Sequence, residues 1–385
     1  MNARNQTCPS FGLFSALRSG LATVVATCMA LVVSLPAAAQ GEGLPTDIRR
    51  APQLTAVQEQ AVQNFVKQHV ANLASDNPQL IKRDRNALLE PLADLEASPK
   101  FRFTYAEALL PTLEGLAGHP DEMVVINAMV LAGDLATSQG VTFLAKALTA
   151  SKPAVRYQAA FGLRRTFEAL AAMPAPTVND EQRASAVESI AGRIREESDA
   201  VVLDGLVHAG LEAAKAPASR NVAIVQLGRA MAAKVRAMQG KAASESMGQV
   251  LLRAGAGLRD SLASATASQI PDDALMAASD AAGAMIAYCV RAIEADALPP
   301  AAKGGSSIRE VHAQLATTCE NVVLLGATLK KGASVPESRK IGDKVRAGTA
   351  ESDQAFVQDA RALVGRDGLL AKPPFGFAPD SFLDK

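Results

Sequence analysis

The chain has no tryptophan, and aromatic residues make up only 4% of its 385 positions. Stacking platforms for nucleobases or sugar rings are therefore scarce. Charge of one sign is also lacking. Lys and Arg number 39, as do Asp and Glu, so no net field draws the chain toward nucleic acid or anionic lipid. The four histidines, at positions 69, 119, 208 and 312, stand apart, and neither His-Glu-x-x-His nor Cys-x-x-Cys occurs. A metal site needs several ligands converging at coordination distance. No Gly-x-Ser-x-Gly elbow or phosphate-cradling Gly-Lys-Ser/Thr loop is present, and Gly255-x-Gly257 lacks the strand and third glycine of a dinucleotide loop. The acidic pairs Glu196-Glu197 and Asp272-Asp273 fall at expected helix ends, where solvated charge is the usual role. The sequence thus assigns no catalytic residue, no metal ligand and no cofactor, and the expectation is a binding protein and not an enzyme.

The first 39 residues have the pattern of a secretory signal. Arg4 and Arg18 supply positive charge, Leu21–Leu35 is apolar, and Ala37-Ala38-Ala39 offers small residues for cleavage before Gln40. Leu21–Leu35 is shorter than the roughly 20 residues of a spanning helix. The expected product is a periplasmic or secreted protein cut after Ala39, with no apolar run of spanning length after Gln40. All 39 acidic residues lie beyond the signal and two basic ones lie within it, which leaves 37 basic against 39 acidic, a net −2.

Beyond the signal, apolar residues recur at helical spacing almost throughout, and alanine abundance reinforces the reading. Thr55-x-x-Gln58 opens a helix with a capping box. Asn77-Pro78 and Ser98-Pro99 each place a capping side chain before a proline at the first helical position, and Pro91 is expected to break or kink the helix between them. Residues 40–99 form the expected N-terminal cap.

A pattern then repeats. Val124, Val125, Ala128, Ala132 and Gly133 recur 31 residues later as Val155, Arg156, Ala159, Leu163 and Arg164. A third copy follows at Val201, Val202, Gly205, Ala209 and Gly210. The segment Ala108–Leu116 carries Pro111 inside a helical pattern. Together these features make residues 100–215 resemble the HEAT repeat, whose first helix tolerates such a proline. The resemblance implies an all-α, α-α superhelix of stacked helix pairs that binds a protein or peptide partner through a concave wall of second helices. It also places Arg156 at the family's arginine position and His119 at its aspartate position. Arg156, Arg164 and Arg165 lie on one such helix and are the candidate partner-binding residues, a solvated helix face being the plain alternative.

Longer helical patterns follow over 218–365 and are expected to form a C-terminal bundle that continues the solenoid. Apolar positions 275, 278, 282, 285, 289 and 292, and 308, 311, 315, 319, 322, 326 and 329, run at heptad spacing on two helices expected to pack antiparallel. Ala254-Gly255-Ala256-Gly257 leaves one helix nearly bare, as close approach of a neighbour would require. Cys289 and Cys319 form a candidate disulfide in an exported protein; pairing along the two stripes sets Cys289 near Leu315, one turn short of Cys319. With His312 they are also a remote zinc alternative, and two buried thiols the plain one. An enzyme or small-ligand carrier with a site between the bundle helices is the alternative function. The tail, 366–385, is rich in Phe and Pro and is expected to fold back as a cap, a docking peptide being the alternative.

Overall fold

The computed structural model describes residues 43–240, 242–264, 269–300, 307–330 and 335–383. The expected export signal lies outside these residues. Gly43–Lys385 forms one unit, and its described residues contain helices and turns but no strand.

The helices are α1 (Thr46–Arg50), α2 (Ala56–Val70), α3 (Pro78–Leu89), α4 (Pro99–Leu116), α5 (Glu122–Leu135), α6 (Ser138–Ala147), α7 (Pro153–Ala172) and α8 (Asp180–Glu196). They continue as α9 (Ala200–Lys215), α10 (Arg220–Ala237), α11 (Glu245–Ala263), α12 (Asp272–Glu294), α13 (Ser307–Leu329), α14 (Ile341–Ala347) and α15 (Ala350–Val364). Their starts follow from local side chains. Thr55 and Gln58 form the expected capping box of α2. Asn77 and Ser98 cap α3 and α4, each with a proline in the first turn. Pro91 stops α3, and the chain continues as a short 3-10 turn, Pro91–Ala93. Pro111 sits inside α4 without ending it.

The helices pack in series in two layers. In one, α2, α4, α6, α8, α10, α12 and α15 each contact the next; in the other, α3, α5, α7, α9, α11, α13 and α14 do the same. Consecutive helices of a pair, such as α6 with α7 and α12 with α13, join the layers. This alternation does not change at residue 218. The longer helices α10–α13 extend both layers, and α14 enters on the α13 side so that α15 returns to α12.

Repeat positions read as inward-facing are buried: Ala128, Ala132, Ala159 and Leu163 are all 0% exposed. Small residues bring helices of one layer close together. A Cβ on Gly133 of α5 would lie 2.7 Å from the Gly162 Cα of α7, and one on Gly228 of α10 would lie 2.6 Å from the Ala277 carbonyl oxygen of α12. Only glycine permits that approach.

One sequence expectation needs correction. α12 is long and apolar enough to cross a membrane, by length and composition alone. Its most apolar window is 83% buried within the stack, where α10, α13 and α15 cover it. Its hydrophobicity is spent on the core, as befits a helix apolar on every face. The tail closes over the same helix: Phe382 and Leu370 lie against Gly283, and Phe375 lies near Gly326 of α13. The Arg291 guanidinium donates to the Phe382 carbonyl at 3.1 Å, and that of Arg236 stands 5.6 Å from the Phe382 ring centroid.

Candidate functional site: a cationic groove on the α7–α9–α11 layer

The second-layer helices α7, α9 and α11 border a groove of about 750 Å³. It follows α11 from Gln249 to Ser264, roughly 22 Å at 1.5 Å per residue. That length matches six or seven residues of extended chain at about 3.3 Å each. Its apolar floor comes from Leu211, Leu252, Ala256 and Gly257. The bare Gly257 is what lets Leu211 lie across α11, since a Cβ there would fall 2.2 Å from Leu211 Cδ2. The glycine-rich turn of α11 is thus a contact with α9 at Gly257 and with Thr318 and Cys319 of α13 at Gly255.

Four cationic side chains line the groove: Arg164, Lys215, Arg220 and Arg253. Two are matched by carboxylates. Arg253 Nε donates to Asp204 at 2.7 Å, joining α11 to α9, and Lys215 Nζ donates to Glu212 at 2.8 Å. Asp260, also on the wall, is taken by its neighbour Arg259 at 2.7 Å. Arg164 and Arg220 have no ion-pair partner among the described residues, and the Nε of each is buried without an acceptor. The Arg164 guanidinium instead stands 6.0 Å from the Phe161 ring centroid, a cation–π contact. His208, on the same wall, has its pKa pushed down by burial and by Arg253 and Arg164, against the pull of Asp204 3.8 Å away and of Glu212. The groove therefore presents two uncompensated guanidinium groups above an apolar floor, a combination suited to carboxylates on an extended chain.

The structure separates the three candidate arginines. Arg156 is 7% exposed and is held on all sides: Nε and Nη2 donate to Glu197 at 2.7 and 2.9 Å, and Nη1 to the carbonyls of Ala150 and Ser151 at 3.0 and 2.8 Å. It joins two turns of the stack and is not available to a partner, so its assignment to a binding surface is corrected. Arg165 is exposed and pairs with Asp134 of α5. Arg164 alone of the three enters the groove. The sequence reading missed Arg220 and Arg253, which lie outside the 100–215 repeat register.

Cys289 and Cys319 are buried free thiols, which corrects the candidate disulfide. Cys289 Sγ points at the His312 carbonyl at 3.8 Å, whereas Cys319 Sγ lies 3.7 Å from Met285 Sδ, one turn earlier on α12. The helix register thus keeps the two sulfurs about a turn apart, beyond disulfide reach. Burial raises both thiols, Cys289 to about 12. No group of three or more His, Cys, Asp or Glu among the described residues is arranged to hold a metal ion.

No protein-family model matches the chain, and a search of curated proteins finds no match. Among solved structures the chain is similar to a crystal structure of an engineered protein, at 16% identity over 85% of this chain and 90% of that one, with a TM-score of 0.34. A likeness at that level carries no argument about function.

Proposed function

We propose that this protein is an exported helical-repeat scaffold of the HEAT kind, and that it holds an acidic peptide segment of a partner protein in the α7–α9–α11 groove. The observation that carries the reading is the pair Arg164 and Arg220, two guanidinium groups without carboxylate partners on the wall of a groove long enough for six or seven extended residues. Helical-repeat proteins gain affinity from broad surfaces of this kind. A carboxylate reaching either guanidinium makes a charge-assisted, geometrically specific contact. The export pattern of residues 1–39 supports a partner outside the cytoplasm.

An array of seven-residue peptides graded from −4 to +4 in charge, probed with the purified protein, tests the reading. Retention should rise with acidic content and fall as salt is raised, since exposed charges are screened within about 8 Å at physiological ionic strength. Retention that is indifferent to peptide charge would refute it.

A further inference from the structure

Apolar side chains left open to solvent gather on two neighbouring helices of the second layer. Met123 of α5 is 58% exposed and Tyr157 of α7 is 37% exposed. Ion pairs from Lys152 to Glu122, at 3.5 Å, and from Arg165 to Asp134 hold α5 and α7 side by side and parallel. That register sets Ile126 beside Tyr157 and Val130 beside Phe161, with Met123 one turn before Ile126. Ile126, Val130 and Phe161 are each half-buried. The Tyr157 ring rests against Gly205 of α9, where a Cβ would come within 3.1 Å of its Cδ2. Ala128 and Ala159 hold the position of Gly205 in the other two copies of the repeat. The glycine thus makes room for the ring. An exposed patch of this kind on a folded chain marks a surface that meets something.

The charges around the patch are engaged, with one exception. Glu122 pairs with Lys152, Asp134 with Arg165, and Asp204 with Arg253. Asp121 and Asp199 cap α5 and α9. Arg164 has no ion-pair partner among the described residues, and its guanidinium stands 6.0 Å from the Phe161 ring centroid. It therefore adjoins the patch while also lining the groove. Glu168 lies one turn further on, on the side away from the patch. Tyr157 and Arg164 share the exposed stripe of α7, about 10 Å apart along its axis. An extended peptide covers that distance in about three residues.

We infer that the acidic segment of the partner carries an apolar residue about three positions from the carboxylate that meets Arg164, and that this residue packs on the Ile126–Tyr157–Phe161 patch. The inference rests on the groove reading and narrows it, from any acidic chain to one of mixed acidic and apolar character. The two parts of such a ligand do different work. Charge orients the chain and speeds encounter, and it is weakened by salt. An apolar side chain seated on an aromatic ring supplies affinity that salt does not screen.

Calorimetry on the purified protein with blocked peptides tests it. The pairs are Ser-Ser-Ser-Glu-Asp-Glu-Asp against Leu-Ser-Ser-Glu-Asp-Glu-Asp, and the same two in reversed order. Leucine should tighten binding about tenfold in one of the two orders, as partial burial of its side chain supplies. Tyr157→Ser should abolish that gain and leave the leucine-free peptide bound as before. Tyr157→Phe should keep the gain, because the ring and not the hydroxyl carries it. No gain in either order, or a gain that survives Tyr157→Ser, would overturn the inference and leave the groove standing. Equal weakening of both peptides by Tyr157→Ser would make the residue structural and overturn it too. Self-association lost in Tyr157→Ser, with no gain from leucine, would give the patch to a second copy of the chain. If no acidic peptide binds, with or without leucine, the groove reading fails and this inference falls with it.

Discussion

Arg156 of α7 and Glu197, the residue that ends α8, form a two-bond ion pair inside the stack, with Nε to Oε2 at 2.7 Å and Nη2 to Oε1 at 2.9 Å. The Glu197 side chain is fully buried and also accepts from Arg193 at 2.9 Å and from the Ser198 and Asp199 amides at 3.0 Å each. Through this pair the turn before α7 is tied to the turn before α9. Replacing Glu197 with Ala leaves a desolvated guanidinium without its anion, which is expected to cost about 3–5 kcal/mol. Urea denaturation should show it as a lower midpoint with little change of slope. An unchanged midpoint would mean that the pair contributes nothing.

Acid should act through the same residue. Burial alone would raise the Glu197 carboxyl, but Arg156, the Asp199 amide and Arg193 outweigh it and hold the pKa at about 2, against an ordinary 4.5. Asp84 is held at about 2, against 3.8, chiefly by Arg83, with Asn72 and His69 helping against its burial. A depressed folded pKa contributes stability that is complete above the ordinary value and disappears as pH falls through the folded value. Stability should therefore decline between about pH 4.5 and 2. Glu197→Gln should flatten that decline while lowering stability at pH 7, and identical pH profiles for the two proteins would contradict the assignment.

The glycines divide by what surrounds them. A Cβ on Gly133 meets the Gly162 backbone at 2.7 Å, whereas one on Gly192, inside α8, meets nothing within 4 Å. Gly133→Ala is expected to destabilise by about 1–3 kcal/mol through forced separation of α5 and α7. Gly192→Ala should stabilise by up to about 1 kcal/mol through helix propensity. Chemical denaturation of the two variants checks both signs.

Most helix ends were legible because their signals are local. Thr55 with Gln58, Asn77 before Pro78 and Ser98 before Pro99 each satisfy orphan amides within three residues, so no tertiary knowledge is needed to place them. The bare turn at Gly255 and Gly257 also revealed a close contact, though not that Leu211 makes it. Side-chain roles were far less legible. Arg156 looks like Arg164 and Arg165 in sequence, and its burial depends on Glu197, 41 residues away. What marks Arg164 and Arg220 is the lack of a nearby carboxylate, a property of three-dimensional neighbours that no spacing records. For the cysteines, a helix-end uncertainty of one turn equals the offset that separates a disulfide from two thiols.

Because both thiols are buried and raised, iodoacetamide should leave Cys289 and Cys319 unmodified in the native protein. It should alkylate both in guanidinium chloride without added reductant. Peptide mapping by mass spectrometry distinguishes this from a bonded pair, which would stay unmodified until reduced.

Unpaired arginines make the α7–α9–α11 groove a site for acidic peptide if calorimetric titration of the most acidic array peptide that the protein retains shows saturable binding by the wild-type protein and a loss of at least a hundredfold in the Arg164→Glu, Arg220→Glu double variant. The helicity and melting temperature of that variant should stay near those of the parent. Equal affinity for the two proteins would place the peptide elsewhere and rule the groove out.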